Sequence, residues 1–263
     1  MTPSLDPAAH AAATEYLAAL DKALPPDRVH GVYLTGSAVL DDWRPGRSDL
    51  DLLTVTSGVL SDGELDALGE LHAALVGKPH RDAVYVTVEA LGTQSADTFP
   101  HTVDGEFHSA GHEVDPVLWA TLHRHGHTLR GPAAADLGAA PDQGWLREWN
   151  VGNLRSYWLA NATDLRLRLA ARAPESPVPT EYAVWDLLGP GRLHCTVATG
   201  KIISKTASAA YTARLFPAYS DLLDRALAWR LGDDSVAFTA ADVVQVCDLV
   251  VAVVHDATTP RVP

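Results

Sequence analysis

Residues 34–55 read LTGSAVLDDWRPGRSDLDLLTV and place two carboxylates, Asp49 and Asp51, one residue apart in a run of Leu and Val. In a β-strand, residues two apart point to the same face. Two carboxylates this close repel each other, and burying either one without a partner costs free energy. The pattern therefore predicts that a cation lies between Asp49 and Asp51.

The same stretch also contains a Gly-Ser pair, Gly36 and Ser37, at the end of the preceding predicted strand. A tight turn at a strand end exposes backbone N–H groups, which suit phosphate oxygens. Mg²⁺ prefers oxygen ligands and commonly takes one or two carboxylates together with substrate phosphates. The stretch therefore predicts a site for a nucleoside triphosphate and Mg²⁺, with Gly36 and Ser37 at the phosphates and Asp49 and Asp51 at the metal.

The charge balance of the chain argues against a nucleic-acid partner. Asp and Glu total 33 against 20 Lys and Arg, which gives a net charge of -13. The sequence contains no Lys/Arg cluster of the kind that binds phosphate backbones. An acidic surface attracts cations, including small polycationic molecules, so a cationic small-molecule partner is consistent with this charge.

No apolar run in the sequence is long enough to span a bilayer, so no membrane partner is expected. The first 20 residues lack the basic start and apolar core of a signal peptide, and a cytoplasmic location is the expectation. Both cysteines, Cys195 and Cys247, lie in apolar, helix-like surroundings, which predicts buried thiols rather than a disulfide.

The first half of the chain predicts a small mixed α/β unit. Asp6 is an N-cap for an opening helix, and Ser61 with Glu64 forms a capping box that begins a second helix. The β-rich runs are VHGVYLTG, LDLLTVT and DAVYVTVEAL. The predicted order is helix, strand, strand, helix, strand.

The second half predicts a helical bundle. Residues 145–173 are long and helix-periodic, and three more helices begin near Glu181, Ser204 and Thr239. The GPG sequence at 189–191 breaks the helix that begins at Glu181. The boundary is expected near 138–144, which gives two domains: residues 1–140 and 141–263.

Two stretches resemble known proteins. Residues 36–55, GSAVLDDWRPGRSDLDLLTV, resemble the signature of the nucleotidyltransferase superfamily that includes DNA polymerase β, a Gly-Ser pair followed by D-x-D. Residues 193–230 resemble the C-terminal helical domain of the streptomycin/spectinomycin adenylyltransferases. The TGxIxxK stretch of that family is matched here by Thr199, Gly200, Lys201, Ile202 and Lys205.

This resemblance covers roughly residues 30–135 and 180–255. It implies an α+β fold, with an N-terminal polymerase-β-like nucleotidyltransferase domain built on a mixed sheet and a C-terminal all-α helical bundle. The implied reaction is ATP- and Mg²⁺-dependent transfer of AMP to a hydroxyl of an aminoglycoside-like or aminocyclitol molecule, with release of pyrophosphate and resistance to the modified antibiotic. Lys205 would reach the phosphates of ATP, which would lie between the two halves.

Members of this family carry a third carboxylate, a Glu that acts as general base, on the strand after the helix. The matching stretch here is RDAVYVTVEAL, and one alignment places Asp82 at the Glu position. Another alignment places Val84 there and leaves no base, and Glu89 is a third option. Asp82 shares a strand face with Val84 and Val86, whereas Glu89 lies on the other face. Asp82 is the favoured base.

The family holds amine-bearing sugars with Trp and acidic side chains. The stretch EYAVWDLLGPG offers Glu181, Trp185 and Asp186 as acceptor-binding residues, with Glu181 and Trp185 on one helix face. The alternative is an ordinary amphipathic helix with a buried Trp. Glu106 is a further acceptor candidate, and Phe107 replaces the Trp of the family's GEW stretch.

The twelve histidines do not form a recognisable zinc motif. His123 and His127 are four residues apart, but Gly126 interrupts the helix and no third ligand follows at a zinc-binding spacing. His101, His108 and His112 are predicted to lie in one solvated loop.

Two other functions remain open at this point. One is transfer of AMP onto a protein partner, as antitoxin-like enzymes do, although such chains usually lack a second helical domain. The other is a nucleotide-binding module without catalysis, which the uncertain third carboxylate supports.

Overall fold

The computed structural model describes residues 5–77, 79–95 and 97–259, and the chain forms two compact units, residues 1–142 and 143–263. Each unit has its own hydrophobic core. No helix within the described ranges is long and apolar enough to cross a bilayer.

A six-stranded sheet organises the first unit, with the strand order β5-β4-β3-β2-β1-β6. Strands β2 and β3 are parallel, and every other neighbouring pair is antiparallel, which confirms the predicted mixed sheet. The strands are β1 Val29–Leu34, β2 Leu50–Thr56, β3 Arg81–Thr87, β4 Thr98–Val103, β5 Glu106–Glu113 and β6 His127–Arg130. The helices are α1 Pro7–Ala23, α2 Gly36–Val39, α3 Asp62–Ala74 and α4 Pro116–His125.

The two long helices α1 and α3 begin where the sequence predicts. Asp6 accepts a hydrogen bond from the Ala8 N–H, and Ser61 and Glu64 form a reciprocal capping box. Both helices pack on one face of the sheet, because alternate strand residues turn apolar side chains toward them. That core includes Tyr16, Leu20, Leu34, Leu52, Leu68, Leu71, Ala83 and Tyr85.

The opposite face of the sheet carries the residues that alternate with this core. Asp51 alternates with Leu50 and Leu52, and Asp82 alternates with Arg81 and Ala83, so both aspartates point away from α1 and α3. We call this side of the sheet the carboxylate face.

A polar network crosses the core between the helices and the sheet. His72 Nε2 lies 2.7 Å from the Tyr85 hydroxyl, and the Tyr16 hydroxyl contacts both Tyr85 at 3.0 Å and Thr54 Oγ1 at 2.7 Å. Burial, followed by the charge of Arg81, lowers the pKa of His72 to about 4. The imidazole is therefore held in its neutral form inside the fold.

This histidine makes the first unit sensitive to acid. Because the pKa of His72 is about 4 in the folded chain, against 6.5 for the free side chain, its contribution is intact above pH 6.5 and is lost as pH falls toward 4. We expect His72→Phe to lose about 1 kcal/mol at pH 7.5 with the Tyr85 hydrogen bond. On acidification, the free energy of unfolding of His72→Phe should fall less than that of the parent, and the two losses should differ by up to about 3 kcal/mol. Urea unfolding at pH 7.5, 5.5 and 4.5 measures both, and equal pH slopes would contradict the assignment.

The second unit is helical, as predicted, and its core surrounds the long helix α11. The helices are α5 Gln143–Asn153, α6 Leu159–Leu169, α7 Thr180–Leu188, α8 Pro190–Thr199, α9 Lys205–Leu215, α10 Ser220–Arg230 and α11 Ala240–Thr258. A short two-stranded sheet joins β7 Pro177–Val178 to β8 Phe238–Thr239. Buried α11 residues in the core include Val243, Val246, Leu249, Val250 and Val253.

Local signals in this unit are largely confirmed. Ser204 and Thr239 cap α9 and α11, and the GPG break separates α7 from α8. The helix predicted over residues 145–173 differs, because a π-helical turn at Leu154–Trp158 joins α5 to α6. Both cysteines are buried free thiols, as predicted.

Candidate active site

The pairing of β2 with β3 places two of the predicted carboxylates side by side. In this parallel pair Asp51 is the register partner of Asp82, and Asp49 lies two residues before Asp51. Glu89 is exposed in a 3₁₀ turn beyond the other end of β3. The geometry therefore groups Asp82, and not Glu89, with the D-x-D pair, while the role of Asp82 as base stays a prediction.

The carboxyl group of Asp82 has unusual electrostatics. Its pKa is raised to about 7, first by burial and then by the neighbouring carboxylates of Asp49, Asp51 and Asp104. A hydrogen bond from the Gly105 N–H opposes this rise. Its Oδ1 atom is buried without a hydrogen-bond partner among the described residues. A carboxylate with a pKa near neutrality is suited to accept a proton from a substrate.

Only glycine fits at position 36, because of its backbone conformation and its close approach to Asp51. Its φ is +57°, a conformation that side chains with a Cβ rarely adopt. A Cβ at this position would lie 1.9 Å from Asp51 Oδ2, which leaves no room for one. The Ser37 N–H faces the same Oδ2 at 3.4 Å, and the Thr35 N–H donates to the Asp51 carbonyl at 3.0 Å. The Gly-Ser pair and the D-x-D pair therefore form one local structure, which continues into the short helix α2.

Sequence reasoning missed two residues of this site, His80 and Asp104. His80 Nδ1 lies 3.7 Å from Asp49 Oδ1 and 3.9 Å from Asp104 Oδ1. Asp104 lies in the turn between β4 and β5, where φ is +52° at Asp104 and +81° at Gly105. Two successive positive φ values are typical of a type I′ hairpin, for which Asp-Gly is a favoured pair. That dipeptide was the available signal for a hairpin ending beside Asp82.

These carboxylates fit a divalent cation that is completed by substrate. Among residues 5–77, 79–95 and 97–259, no three His, Cys, Asp or Glu side chains form a group able to hold a metal ion alone. Mg²⁺ does not need such a group, because two carboxylates with substrate phosphates and water satisfy it. The pKa of Asp82 is raised first by burial and then by repulsion from Asp49, Asp51 and Asp104, and a cation near Asp49 and Asp51 would weaken that repulsion.

In the second unit, Lys205 and Trp185 are in contact. The Lys205 ammonium group lies 4.9 Å from the centroid of the Trp185 ring, a cation–π contact. Trp185 stacks on Trp158 with 5.8 Å between ring centroids, yet remains 42% exposed. Glu181 lies one turn earlier on α7 and is exposed. Glu181 and Trp185 therefore share an accessible part of α7, and the alternative of a buried Trp does not hold.

Asp186, the third predicted acceptor residue, faces the interior of the second unit. It is 5% exposed, and its Oδ1 accepts a hydrogen bond from Asn161 Nδ2 at 2.9 Å. Burial raises its pKa to about 6. The structure thus separates Asp186 from the exposed pair Glu181 and Trp185. The acceptor roles of all three residues stay predictions.

The stretch around Glu106 differs from its sequence prediction. His101, His108 and His112 lie on β4 and β5 rather than in a loop, so the loop prediction was wrong. Phe107 stacks against His72 with 5.8 Å between ring centroids, and it packs with the core. Phe107 therefore does not line the carboxylate face.

Comparison with known proteins finds similarity at two levels, a domain family within the first unit and the fold. A family model described as "Nucleotidyltransferase domain" matches residues 15–97. A solved structure with a similar fold is spectinomycin adenyltransferase AAD(9) from Enterococcus faecialis, with ATP and spectinomycin. Its TM-score is 0.71 at 16% identity, over 93% of this chain and 98% of that chain. No curated protein matches the chain. The predicted resemblances are confirmed at the level of the domain family and of the fold.

Proposed function

We propose that this nucleotidyltransferase moves AMP from ATP onto a hydroxyl of a cationic aminoglycoside-like or aminocyclitol molecule and releases pyrophosphate. The observation that carries the proposal is the register of Asp51 beside Asp82, with the Gly36–Ser37 turn held against Asp51. The solved relative with the same fold contains ATP and spectinomycin, which supports both substrate classes.

The reaction assigns a task to each residue of the first unit. The acceptor oxygen bonds to the α-phosphorus of ATP as the bond from that phosphorus to pyrophosphate breaks, and Asp82 takes the hydroxyl proton. Gly36 and Ser37 hold phosphate oxygens. Asp49 and Asp51 hold Mg²⁺, which supplies charge neutralisation at the phosphates.

The cationic nature of the acceptor rests on the second unit and on charge. The net charge of -13 favours approach of a polyamine. The Trp185 ring already carries the Lys205 ammonium group on its face, so that face accepts a cation, and Glu181 lies one turn away. Glu181, Trp185 and Asp186 remain the proposed acceptor residues, and Lys205 the proposed phosphate contact.

Mass spectrometry of mixtures containing the protein, ATP, Mg²⁺ and a panel of aminoglycosides and aminocyclitols tests this function. We expect at least one compound to gain a single AMP, and no product when ATP is omitted or EDTA is added. An unmodified panel in a buffer where ATP binds would contradict the proposal and favour a non-catalytic nucleotide module. AMP found on a co-purifying protein would favour a protein target instead. A bacterial strain expressing the protein should resist the compound that is modified.

A further inference from the structure

Three histidines form a cluster to which the proposed reaction gives no task. His101 lies on β4, and His108 and His112 lie on β5. The ring centroids of His101 and His108 are 5.0 Å apart, and those of His101 and His112 are 5.4 Å apart. We call these three side chains the histidine patch.

The sheet register places this patch on the carboxylate face. Asp82 and Val84 are two apart on β3 and share a face, and Val84 is the partner of His101. His101 in turn is the partner of His108. From Asp82, His101 is therefore about one strand spacing across, ~4.8 Å, and two residues along, ~6.6 Å.

The histidine patch is not part of the hydrophobic core of the first unit. Thr102 and Phe107 alternate with His101 and His108, and these two residues face α3 and the interior. All three histidines are half-buried rather than enclosed in the core, and strand alternation places His101 and His108 on the other side of the sheet. A row of imidazoles, with the rings of His101 and His108 stacked and that of His112 tilted by 43° from His101, thus extends from beside Asp82 toward the edge of the sheet.

The chemistry of the patch suits a ring that carries hydroxyl groups. A neutral imidazole offers one hydrogen-bond donor, one acceptor and a flat face. His101 Nδ1 lies 3.3 Å from the Phe99 carbonyl oxygen, which only accepts, so Nδ1 donates in this contact and Nε2 remains for a ligand. Burial, followed by His101, lowers the pKa of His112, which keeps this ring uncharged near neutrality. An uncharged His112 ring does not repel a cationic acceptor.

We propose that the histidine patch binds the hydroxylated ring of the acceptor and so places one of its hydroxyl groups at Asp82. This inference rests on the proposed function and deepens it, because it adds acceptor-binding residues on the first unit to those proposed on the second. The patch is a positioning surface, and its loss should weaken acceptor binding more than it slows chemistry.

Steady-state kinetics with spectinomycin and ATP test the proposal on four proteins: the parent, the double variant His101→Ala/His108→Ala, His108→Asn, and the control His10→Ala on the exposed side of α1. We expect the double variant to raise KM for spectinomycin about tenfold, because two hydrogen bonds are lost. Its KM for ATP and its kcat should change less than about twofold, since the patch touches neither reacting group. The Asn variant, which keeps an amide donor and acceptor, should fall between, and His10→Ala should match the parent.

A second readout separates this proposal from the function it rests on. Spectinomycin is titrated into ¹⁵N-histidine-labelled parent protein and the imidazole signals are recorded by NMR. The signals of His101 and His108, identified by their absence from the double variant, should shift whether or not AMP is transferred. If AMP is transferred but KM and these signals stay constant, the patch proposal is overturned and the function stands. If no AMP is transferred but the signals move, the function fails and the patch remains a binding surface. Neither transfer nor shifts would overturn both.

Discussion

Asp51→Asn should reduce AMP transfer by about a thousandfold or more while leaving the first unit folded, since metal-ion charge stabilisation contributes several kcal/mol to such reactions. The substitution keeps the shape of the side chain. It keeps an oxygen to accept the Ser37 N–H, and it leaves the Gly36 turn undisturbed. What it removes is the negative charge that holds Mg²⁺ beside the phosphates.

The measurement combines turnover with a metal-dependent stability assay. A ligand that binds only the folded state raises Tm with its concentration. In the presence of ATP, Mg²⁺ should raise the Tm of the parent and of the control Asp66→Asn, an exposed change on α3, but not that of Asp51→Asn. Full turnover in Asp51→Asn, or an undiminished Mg²⁺-dependent rise in its Tm, would contradict the assignment of Asp51 to the metal.

The parts of this fold that sequence predicts correctly have local causes. The N-cap Asp6 and the Ser61–Glu64 capping box fix helix starts within four residues of chain, and both are present. The alternation of side chains between the two faces of a strand is also a local property. It places Asp82 on the face opposite Ala83 before any pairing is known, and the structure then sets Asp82 beside Asp51.

The parts that sequence missed depend on contacts between distant residues. Strand β4 contains Pro100, and β5 is an edge strand with mostly exposed residues, so neither shows a strong strand pattern. Without these two strands, the histidine patch and the Asp104 turn have no predictable position. Asp186 is a similar case, because its inward orientation depends on Asn161, 25 residues earlier.

Replacing Asp82 has the second large expected effect, and it separates catalysis from folding. We expect Asp82→Asn to lower kcat by about 100- to 10,000-fold, the usual contribution of a general base, with little change in ATP affinity. Glu89→Gln is the matched control, because Glu89 is the other candidate on this segment but is exposed beyond the far end of β3. Loss of turnover in Glu89→Gln with normal turnover in Asp82→Asn would reverse the assignment.

The raised pKa of Asp82 adds two measurable consequences to this prediction, one in the pH dependence of activity and one in the pH dependence of stability. A base must be ionised to accept a proton, so kcat/KM of the parent should decrease as pH falls through an apparent pKa at or below about 7. This decrease should be absent in Asp82→Asn.

Because the folded pKa of about 7 exceeds the free value of 3.8, ionisation of Asp82 costs the parent stability as pH rises from about 4 to 7. Asp82→Asn avoids that cost and should be more stable at pH 8 by about 1 to 2 kcal/mol, after discounting for its solvent-exposed part, but no more stable at pH 4. A variant that is less active yet more stable at pH 8 cannot owe its inactivity to unfolding, whereas reduced stability at pH 8 would mean that Asp82 serves the fold instead.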